Sequence, residues 1–231
     1  MRFNSDQIQK IGKEISSKVD GKTLFDEFSR GRYSTDASVY QIKPLGVVLP
    51  KDTNDVLNLM EYSQKNSVPL LARGGGSSQC GQTVGESVVL DYSKHQNKIL
   101  ELNVEEKYVW VQPGVVLDHL NAYLKPHGLW FPVDVSTSSR ATIGGMSANN
   151  SCGSRSLYYG NMVHNVLAIE AILDDGSIFN FDQINKNYLA TKNNQDRLYK
   201  IIDKFIDVRK QVGGEIDANW PTTQRLSLIH I

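Results

Sequence analysis

Residues 68–82 read Val-Pro-Leu-Leu-Ala-Arg-Gly-Gly-Gly-Ser-Ser-Gln-Cys-Gly-Gln, a short apolar segment that leads directly into three consecutive glycines. The apolar segment predicts a β-strand. Glycine has no side chain to keep a ligand away from the backbone, and successive N–H groups in such a turn can surround an anion. Ser77 and Ser78 add hydroxyl donors, and Arg73 adds a positive charge at the mouth. The stretch predicts a phosphate-binding loop; the alternative is an ordinary glycine-rich surface turn.

The segments that follow this loop exclude the two common nucleotide-binding motifs. A Walker loop requires a lysine directly after its glycines, and the next lysine here is Lys94. A Rossmann fingerprint places its glycines at the start of a helix. Residues 87–92 are instead short, apolar and rich in β-branched side chains, which predicts a strand. The predicted order is therefore strand, glycine loop, strand.

A second loop of similar composition lies further along the chain. Residues 131–153 read Phe-Pro-Val-Asp-Val-Ser-Thr-Ser-Ser-Arg-Ala-Thr-Ile-Gly-Gly-Met-Ser-Ala-Asn-Asn-Ser-Cys-Gly. This stretch is dense in small residues, contains a glycine pair, and is followed by Tyr-Tyr-Gly-Asn at 158–161. Two such loops are hard to explain as simple turns.

Together these runs resemble the FAD-binding domain of the vanillyl-alcohol oxidase/glycolate oxidase flavoprotein family, also called the PCMH-type fold. The matching runs keep the family's order over residues 30–182. They are Arg73-Gly-Gly-Gly-Ser-Ser, Gly81-Gln82, Val111-Gln-Pro-Gly114, Pro132-Val-Asp134, Ala141-Thr-Ile-Gly-Gly145, Tyr159-Gly160 and Asp174-Asp-Gly176. The resemblance implies an α+β class and a two-lobed fold, in which a small βαβ lobe precedes a larger mixed or antiparallel sheet lobe with flanking helices.

The resemblance also implies that FAD is the cofactor and that both loops contact it. The second loop is expected to run along the isoalloxazine ring, where Gly144 and Gly145 admit the backbone. Family members that bind flavin covalently through the first loop carry histidine where this chain has Ser77, so we expect non-covalent FAD. The expected cofactor-binding residues are Arg73, Gly74, Gly75, Gly76, Ser77, Ser78, Gly81, Gln82, Pro132, Thr142, Ile143, Gly144, Gly145, Asn149, Gly153 and Tyr159.

Residues 128–166 are most similar to family members associated with iron–sulfur modules. Those proteins oxidise D-2-hydroxy acids such as D-lactate, glycolate or D-2-hydroxyglutarate. The implied activity is an FAD-dependent oxidoreductase reaction on CH–OH donors, with hydride transfer from the acid to FAD and electrons passed to an iron–sulfur or quinone acceptor. The alternatives are a sugar or aldonolactone oxidase, a cell-wall precursor reductase, or a fragment that binds FAD without catalysis.

In this family the catalytic base and most carboxylate-binding groups come from a cap domain, which we expect to be missing from this chain. Three residues are candidates to assist near the flavin: Tyr33, Arg155 and His164. Each also has a structural interpretation. Tyr33 can anchor a surface arm, Arg155 can make a phosphate or structural contact, and His164 can be an ordinary surface histidine.

Apolar periodicity places the regular elements. Helices are predicted over residues 5–19, from a cap at Thr53, from Gly114 to a stop at Pro126 and Gly128, and over residues 196–212. Strands are predicted over residues 45–49, 68–72 and 87–92, with hairpins over 98–111 and 166–181. The last helix is expected to bury Leu198, Ile201, Ile202, Phe205, Val208 and Val212.

Four segments follow from this order. Residues 1–35 form an N-terminal helix and arm, 36–94 the first lobe, and 95–225 the second lobe. Residues 226–231 match no earlier pattern and resemble a translated sequencing-library adaptor, which predicts a non-native tail. On this interpretation the chain is a truncated form of a longer protein.

Composition limits the remaining possibilities. The 231 residues carry 25 basic and 25 acidic side chains, so no basic surplus indicates nucleic-acid binding. The N-terminal residues lack the apolar core of a signal peptide, and no apolar run reaches the ~20 residues of a membrane span, so we expect a cytoplasmic protein. Cys80 and Cys152 are too few to ligate an iron–sulfur cluster. We expect any cluster in a missing part or a partner, and no metal site in this chain.

Overall fold

The computed structural model describes residues 3–182 and 197–221. Helix α1 (Ser5–Ser16) begins at an Asn4 cap, whose side chain accepts the N–H of Gln7 at 2.9 Å. Its apolar residues recur every three or four positions, so Ile8, Ile11 and Ile15 share one buried face. This face packs into the same core as the sheet that follows.

The first sheet contains strands β1 (Lys22–Leu24), β2 (Gly46–Leu49), β3 (Leu70–Arg73) and β4 (Val88–Asp91), in the order β1-β2-β4-β3. Strand β1 is antiparallel to β2, while β2, β4 and β3 run parallel. The predicted strand–helix–strand unit is therefore present. Its two strands are separated by β4, whose four residues are all buried.

Helices α2 (Glu27–Arg32) and α3 (Thr53–Asn66) flank this sheet. The predicted cap at Thr53 was wrong by one residue, because the carboxylate of Asp52 accepts the N–H of Asn54 at 2.9 Å and leaves Thr53 as the first helical residue. Helix α3 buries Val56, Leu59 and Tyr62 against α1 and the sheet.

A hairpin of β5 (Ile99–Asn103) and β6 (Tyr108–Val111) opens the second part of the chain, as predicted. Helix α4 (Leu117–Leu124) begins three residues later than the predicted start at Gly114. Gly114 instead donates its N–H to Gln96 O at 2.7 Å, and a Cβ there would lie 2.1 Å from Tyr92 O. Gly114 therefore serves a close backbone approach.

Three short helices follow, α5 (Ile143–Ala148), α6 (Ser156–Tyr159) and α7 (Met162–Asn165), and then the predicted hairpin of β7 (Ile169–Ile172) and β8 (Ile178–Phe181). Within residues 3–182 and 197–221, β5–β6 and β7–β8 form two separate two-stranded sheets. The β7–β8 hairpin packs its Ile172 against the core of the first sheet.

The last described helix is α8 (Arg197–Asn219), which extends seven residues beyond the predicted end. Leu198 and Ile202 are buried as expected. The expected burial of three further residues was wrong, since the exposed fractions of Phe205, Val208 and Val212 are 73%, 48% and 37%. Their spacing marks an apolar stripe, but the stripe is not covered by described residues. The predicted tail at 226–231 lies outside the described residues.

Candidate functional site

The first glycine loop begins where β3 ends, at Arg73. Strands β2, β4 and β3 are parallel, so this is the carboxyl edge of a parallel sheet. Ligands of open α/β sheets bind at this edge. The predicted position of the loop relative to the sheet is thus confirmed.

A run of backbone donors in this loop has no acceptor in the described part of the chain. The N–H groups of residues 74–79 donate to no residue within 3–182 or 197–221. The turn closes just after them, where the N–H groups of Cys80 and Gln82 donate to Ser78 Oγ at 3.2 and 3.4 Å. Gly76 has φ of 65°, a left-handed conformation that favours glycine. Six consecutive donors without an acceptor among the described residues suit a multiply charged anion.

The structure brings the two glycine loops into direct contact. A Cβ on Gly74 would lie 2.1 Å from Thr142 Oγ1, and a Cβ on Gly75 would lie 2.2 Å from the carbonyl oxygen of Arg140. A hydrogen bond from Gln82 Nε2 to Asn149 Oδ1 at 3.2 Å adds a second link. Glycine is needed in the first loop partly because the second loop packs on it.

Two N–H groups of the second loop donate to the segment that precedes α4. Ile143 donates its N–H to Val115 O at 2.8 Å, and Gly144 donates to Pro113 O at 2.9 Å. A Cβ on Gly144 would also lie 2.5 Å from Pro113 Cβ, so close packing against proline requires this glycine. The first turn of α5 is therefore held by the protein itself, and this loop supplies shape to the site.

A separate brace fixes the two ends of the second loop. Asp134 accepts the Ser154 hydroxyl at 2.6 Å and the Arg155 N–H at 3.0 Å. Burial raises the pKa of Asp134, but these hydrogen bonds outweigh burial and leave the pKa lower than usual. At Gly153 a Cβ would lie 1.4 Å from Asp134 O, so only glycine allows this approach.

Arg73, which was expected to add a positive charge at the mouth of the loop, contacts the backbone of two other segments. Its guanidinium donates to the carbonyl oxygens of Thr83 at 3.1 Å and Thr35 at 2.9 Å. It also lies 5.3 Å from the centre of the Tyr33 ring. Arg73 therefore binds the protein backbone.

Tyr33 is not on a surface arm. Its side chain is 8% exposed and packs with Val47 and Val89 of the sheet. Its hydroxyl donates to Asp91 Oδ2 at 2.7 Å. Burial, together with this hydrogen bond, raises the pKa of Tyr33. The hydroxyl of this catalytic candidate is therefore already hydrogen-bonded to a buried carboxylate.

The other two catalytic candidates have structural contacts. Arg155 lies 5.1 Å from the centre of the Trp130 ring, which also packs edge-on against Tyr159 at 5.1 Å. His164 Nδ1 accepts the N–H of Asn161 at 3.1 Å and closes the first turn of α7. Both side chains belong to exposed residues.

Several residues of the site were missed by sequence reasoning. A charged residue at the end of the apolar run Val-Val-Leu-Asp was a usable signal for Asp91. Thr35 and Thr83 contribute through backbone oxygens, which any residue carries, so their identity gave no signal. Tyr40 lies against the loop, since a Cβ on Gly81 would lie 2.5 Å from its ring.

Comparison with known proteins identifies the family. A family model described as an FAD binding domain matches residues 44–182, more than half of the chain. The chain belongs to this FAD-binding domain family. The match includes both glycine loops, so the resemblance stated from the motifs is confirmed, with FAD as the cofactor.

Curated relatives of this FAD-binding domain include dehydrogenases and an oxidase subunit. The chain is 44% identical to D-2-hydroxyglutarate dehydrogenase of Haemophilus influenzae over 158 residues, which cover 66% of this chain and 15% of the relative. It is 37% identical to glycolate oxidase subunit GlcD of Bacillus subtilis, over 74% of this chain and 37% of the relative. The chain thus spans a minor part of the curated relatives it matches.

Solved structures confirm the two-lobed α+β fold of the family. BBE-like 1 of Physcomitrella patens matches 77% of this chain and 39% of its own, with a TM-score of 0.65 and 22% identity. A p-cresol methylhydroxylase matches 77% of this chain and 36% of its own, with a TM-score of 0.61 and 18% identity. At these identities the likeness shows the fold alone.

The residues present fit FAD. The pyrophosphate of FAD carries negative charge, and the six donors of residues 74–79 that lack an acceptor among the described residues offer it a matching set of N–H groups. A side chain on Gly74 or Gly75 would drive the two loops apart. The first loop therefore has the donors, and the pair of loops has the shape, that the cofactor requires.

Proposed function

We propose that this chain is the FAD-binding part of an oxidoreductase that takes a hydride from a D-2-hydroxy acid of the lactate, glycolate or 2-hydroxyglutarate type. The observation that carries the cofactor assignment is the run of donors at residues 74–79, which have no acceptor within 3–182 and 197–221. The substrate class rests on the names of the relatives, which include D-2-hydroxyglutarate dehydrogenase and D-lactate dehydrogenase.

In this proposal, the first loop binds the pyrophosphate of FAD and the second loop lines its flavin ring. Bound FAD supplies the hydride-accepting chemistry, while the protein binds and orients it. Each hydrogen bond to a charged group contributes about 1.5–3 kcal/mol, so four or five from the first loop offset much of the cost of association. We propose cofactor contacts from Gly74, Gly75, Gly76, Ser77, Ser78, Gly81, Gln82, Pro132, Thr142, Ile143, Gly144, Gly145, Asn149, Gly153 and Tyr159.

The catalytic base is proposed to come from a part of the longer protein outside this chain. The hydroxyl of Tyr33 is engaged by Asp91, and the Nδ1 of His164 is engaged by Asn161. A general base must reach the substrate proton directly or through one water. These contacts support a base, and most carboxylate-binding groups, elsewhere in the protein.

The electron acceptor is proposed to be an iron–sulfur module or a quinone. In the described part of the chain, no group of three or more His, Cys, Asp and Glu residues is arranged to hold a metal ion. Both cysteines, Cys80 and Cys152, are free thiols. An iron–sulfur acceptor would therefore be held by another part of the protein or by a partner.

We propose a cytoplasmic location. No helix within residues 3–182 and 197–221 is long and apolar enough to cross a membrane. Equal numbers of basic and acidic side chains give no charge surplus for binding a lipid surface.

An anaerobic visible spectrum tests this function. The purified chain is expected to take up FAD and to keep its absorption band when D-2-hydroxyglutarate or D-lactate is added. A form extended to the length of its relatives is expected to bleach with a D-acid and not with the L-enantiomer. If the extended protein binds FAD but its flavin is reduced only by an aldonolactone, the proposed substrate class is wrong.

The cofactor is expected to be released by denaturation. Family members that bind flavin covalently through the first loop carry histidine at the position where this chain has Ser77. A serine hydroxyl is a weak nucleophile without an adjacent base, and none of the described side chains hydrogen-bonds to Ser77. After acid precipitation of the FAD-loaded chain, all flavin absorbance should appear in the supernatant. Flavin that stays with the washed, unfolded protein would contradict this prediction.

A further inference from the structure

Arg73 connects three separate segments at the base of the first glycine loop. Its Nη1 donates to Thr83 O at 3.1 Å, and its Nη2 donates to Thr35 O at 2.9 Å. Arg73 itself is the last residue of β3, so one side chain joins the start of the loop, its end and the segment after α2. Both terminal nitrogens are thus engaged by backbone oxygens.

The loop is folded directly over this guanidinium. At Gly76, a Cβ would lie 2.4 Å from Nη2 of Arg73, and the backbone there has φ of 65°. The guanidinium carbon also lies 5.3 Å from the centre of the Tyr33 ring. Tyr33 is in turn fixed by Asp91, at the end of the adjacent strand. Residues 74–79 therefore pass directly against the Arg73 guanidinium at Gly76.

We infer that Arg73 is a positioning residue of the FAD site and not a phosphate ligand. It holds the N–H donors of residues 74–79 toward the pyrophosphate through its contacts with the carbonyls of Thr35 and Thr83 and the ring of Tyr33. The planar guanidinium can donate to two oxygens and stack on a ring at once, which the ammonium of lysine does not do. This inference rests on the proposed use of the loop for FAD.

Charge-preserving and charge-removing variants separate the two roles. Arg73→Lys and Arg73→Met are each expected to weaken FAD binding by about tenfold or more, the equivalent of one hydrogen bond to a charged group. The slope of log Kd against log salt concentration should match the wild-type slope in both, because no ion pair with phosphate is lost. FAD affinity is measured by the quenching of flavin fluorescence at several salt concentrations.

Arg30 provides a matched control. Arg30 is buried, at 5% exposed, whereas Arg73 is half-buried, but like Arg73 it donates to a backbone carbonyl, from Nε to Pro44 O at 2.8 Å. Within the described residues, its hydrogen bonds go to Pro44 and Glu27, and none goes to the glycine loop. Arg30→Met is expected to lower the free energy of unfolding and to leave the Kd for FAD within about twofold of wild type, since Arg30 does not position the glycine loop.

A second variant keeps the inference testable if the Arg73 variants do not fold. Tyr33→Leu removes the ring beneath the guanidinium and is expected to weaken FAD binding several-fold with an unchanged salt slope. An Arg73→Lys variant with wild-type affinity, together with a shallower salt slope for Arg73→Met, would make Arg73 a phosphate ligand and overturn the inference. Unaltered affinity in the Arg73 variants, or in Tyr33→Leu, would overturn it as well. Wild-type protein that does not bind FAD would overturn the proposed function itself.

Discussion

Replacement of Gly75 by alanine is expected to weaken FAD binding by about 100-fold or more. The added Cβ would lie 2.2 Å from the carbonyl oxygen of Arg140. That oxygen cannot move cheaply, because the N–H groups of Arg140 and Ala141 both donate to Thr137 O at 2.8 Å. The first loop must shift away from the second. Displacing two of its hydrogen bonds to the pyrophosphate costs about 3–6 kcal/mol.

The measurement is the FAD dissociation constant, followed by flavin fluorescence. Gly214→Ala is the matched control, since the same methyl group on α8 meets nothing within 4 Å. That variant should bind FAD as wild type does and gain about 0.5–1 kcal/mol of stability, because alanine favours the helix. Gly75→Ala protein with the wild-type dissociation constant would show that the two loops do not need their observed contact.

Replacement of Asp91 by alanine is expected to lower the free energy of unfolding by about 3–5 kcal/mol. Asp91 is 4% exposed and accepts the Tyr33 hydroxyl at 2.7 Å. It also accepts the N–H and the hydroxyl of Ser93, at 2.9 and 2.6 Å. Alanine leaves these donors without their acceptor and removes a negative charge that favours the charged form of the half-buried Arg73. Chemical denaturation of the purified variant gives the size of the loss.

Two further variants define what Asp91 contributes. Asp91→Asn keeps an oxygen that can accept from Tyr33, so roughly half of the loss is expected, as neutral hydrogen bonds are weaker than charged ones. Asp203 is exposed on α8, and Asp203→Ala should change stability by no more than about 0.5 kcal/mol. If Asp91→Ala were as mild as Asp203→Ala, the buried network at the end of β4 would not stabilise the fold.

Most regular elements could be predicted from the sequence, because each depends on a local pattern. The hairpin of β5 and β6 follows from alternating side chains, and the turn at Gly176, with φ of 83°, follows from the Asp-Asp-Gly signal. Helix α8 was predicted from its apolar period, but it ends seven residues later than predicted, and Phe205, which was expected to be buried, is 73% exposed. The spacing of apolar residues specifies which face of a helix is apolar, whereas burial of that face requires a second element to cover it.

In the candidate site too, local features were predicted from the sequence and contacts between distant residues were not. Its two loops and its glycines were recognised in the sequence, since a run of small residues between apolar segments is a local feature. The backbone contacts of Arg73 were not predicted, because its acceptor on Thr35 lies 38 residues away and is a backbone oxygen. Tyr33 was placed on an arm, but its partner Asp91 lies 58 residues further along the chain.

The sequence by itself determined the order of strand, glycine loop and strand, the second glycine loop, and through these motifs the FAD-binding family. Only the tertiary structure decided that β4 lies between β2 and β3, that Thr142 packs on Gly74, and that Arg73 faces the protein. The physical reason is that local propensity acts over neighbouring residues. The partner of each donor, glycine and apolar face is instead selected by contacts between distant segments, formed when the whole chain packs.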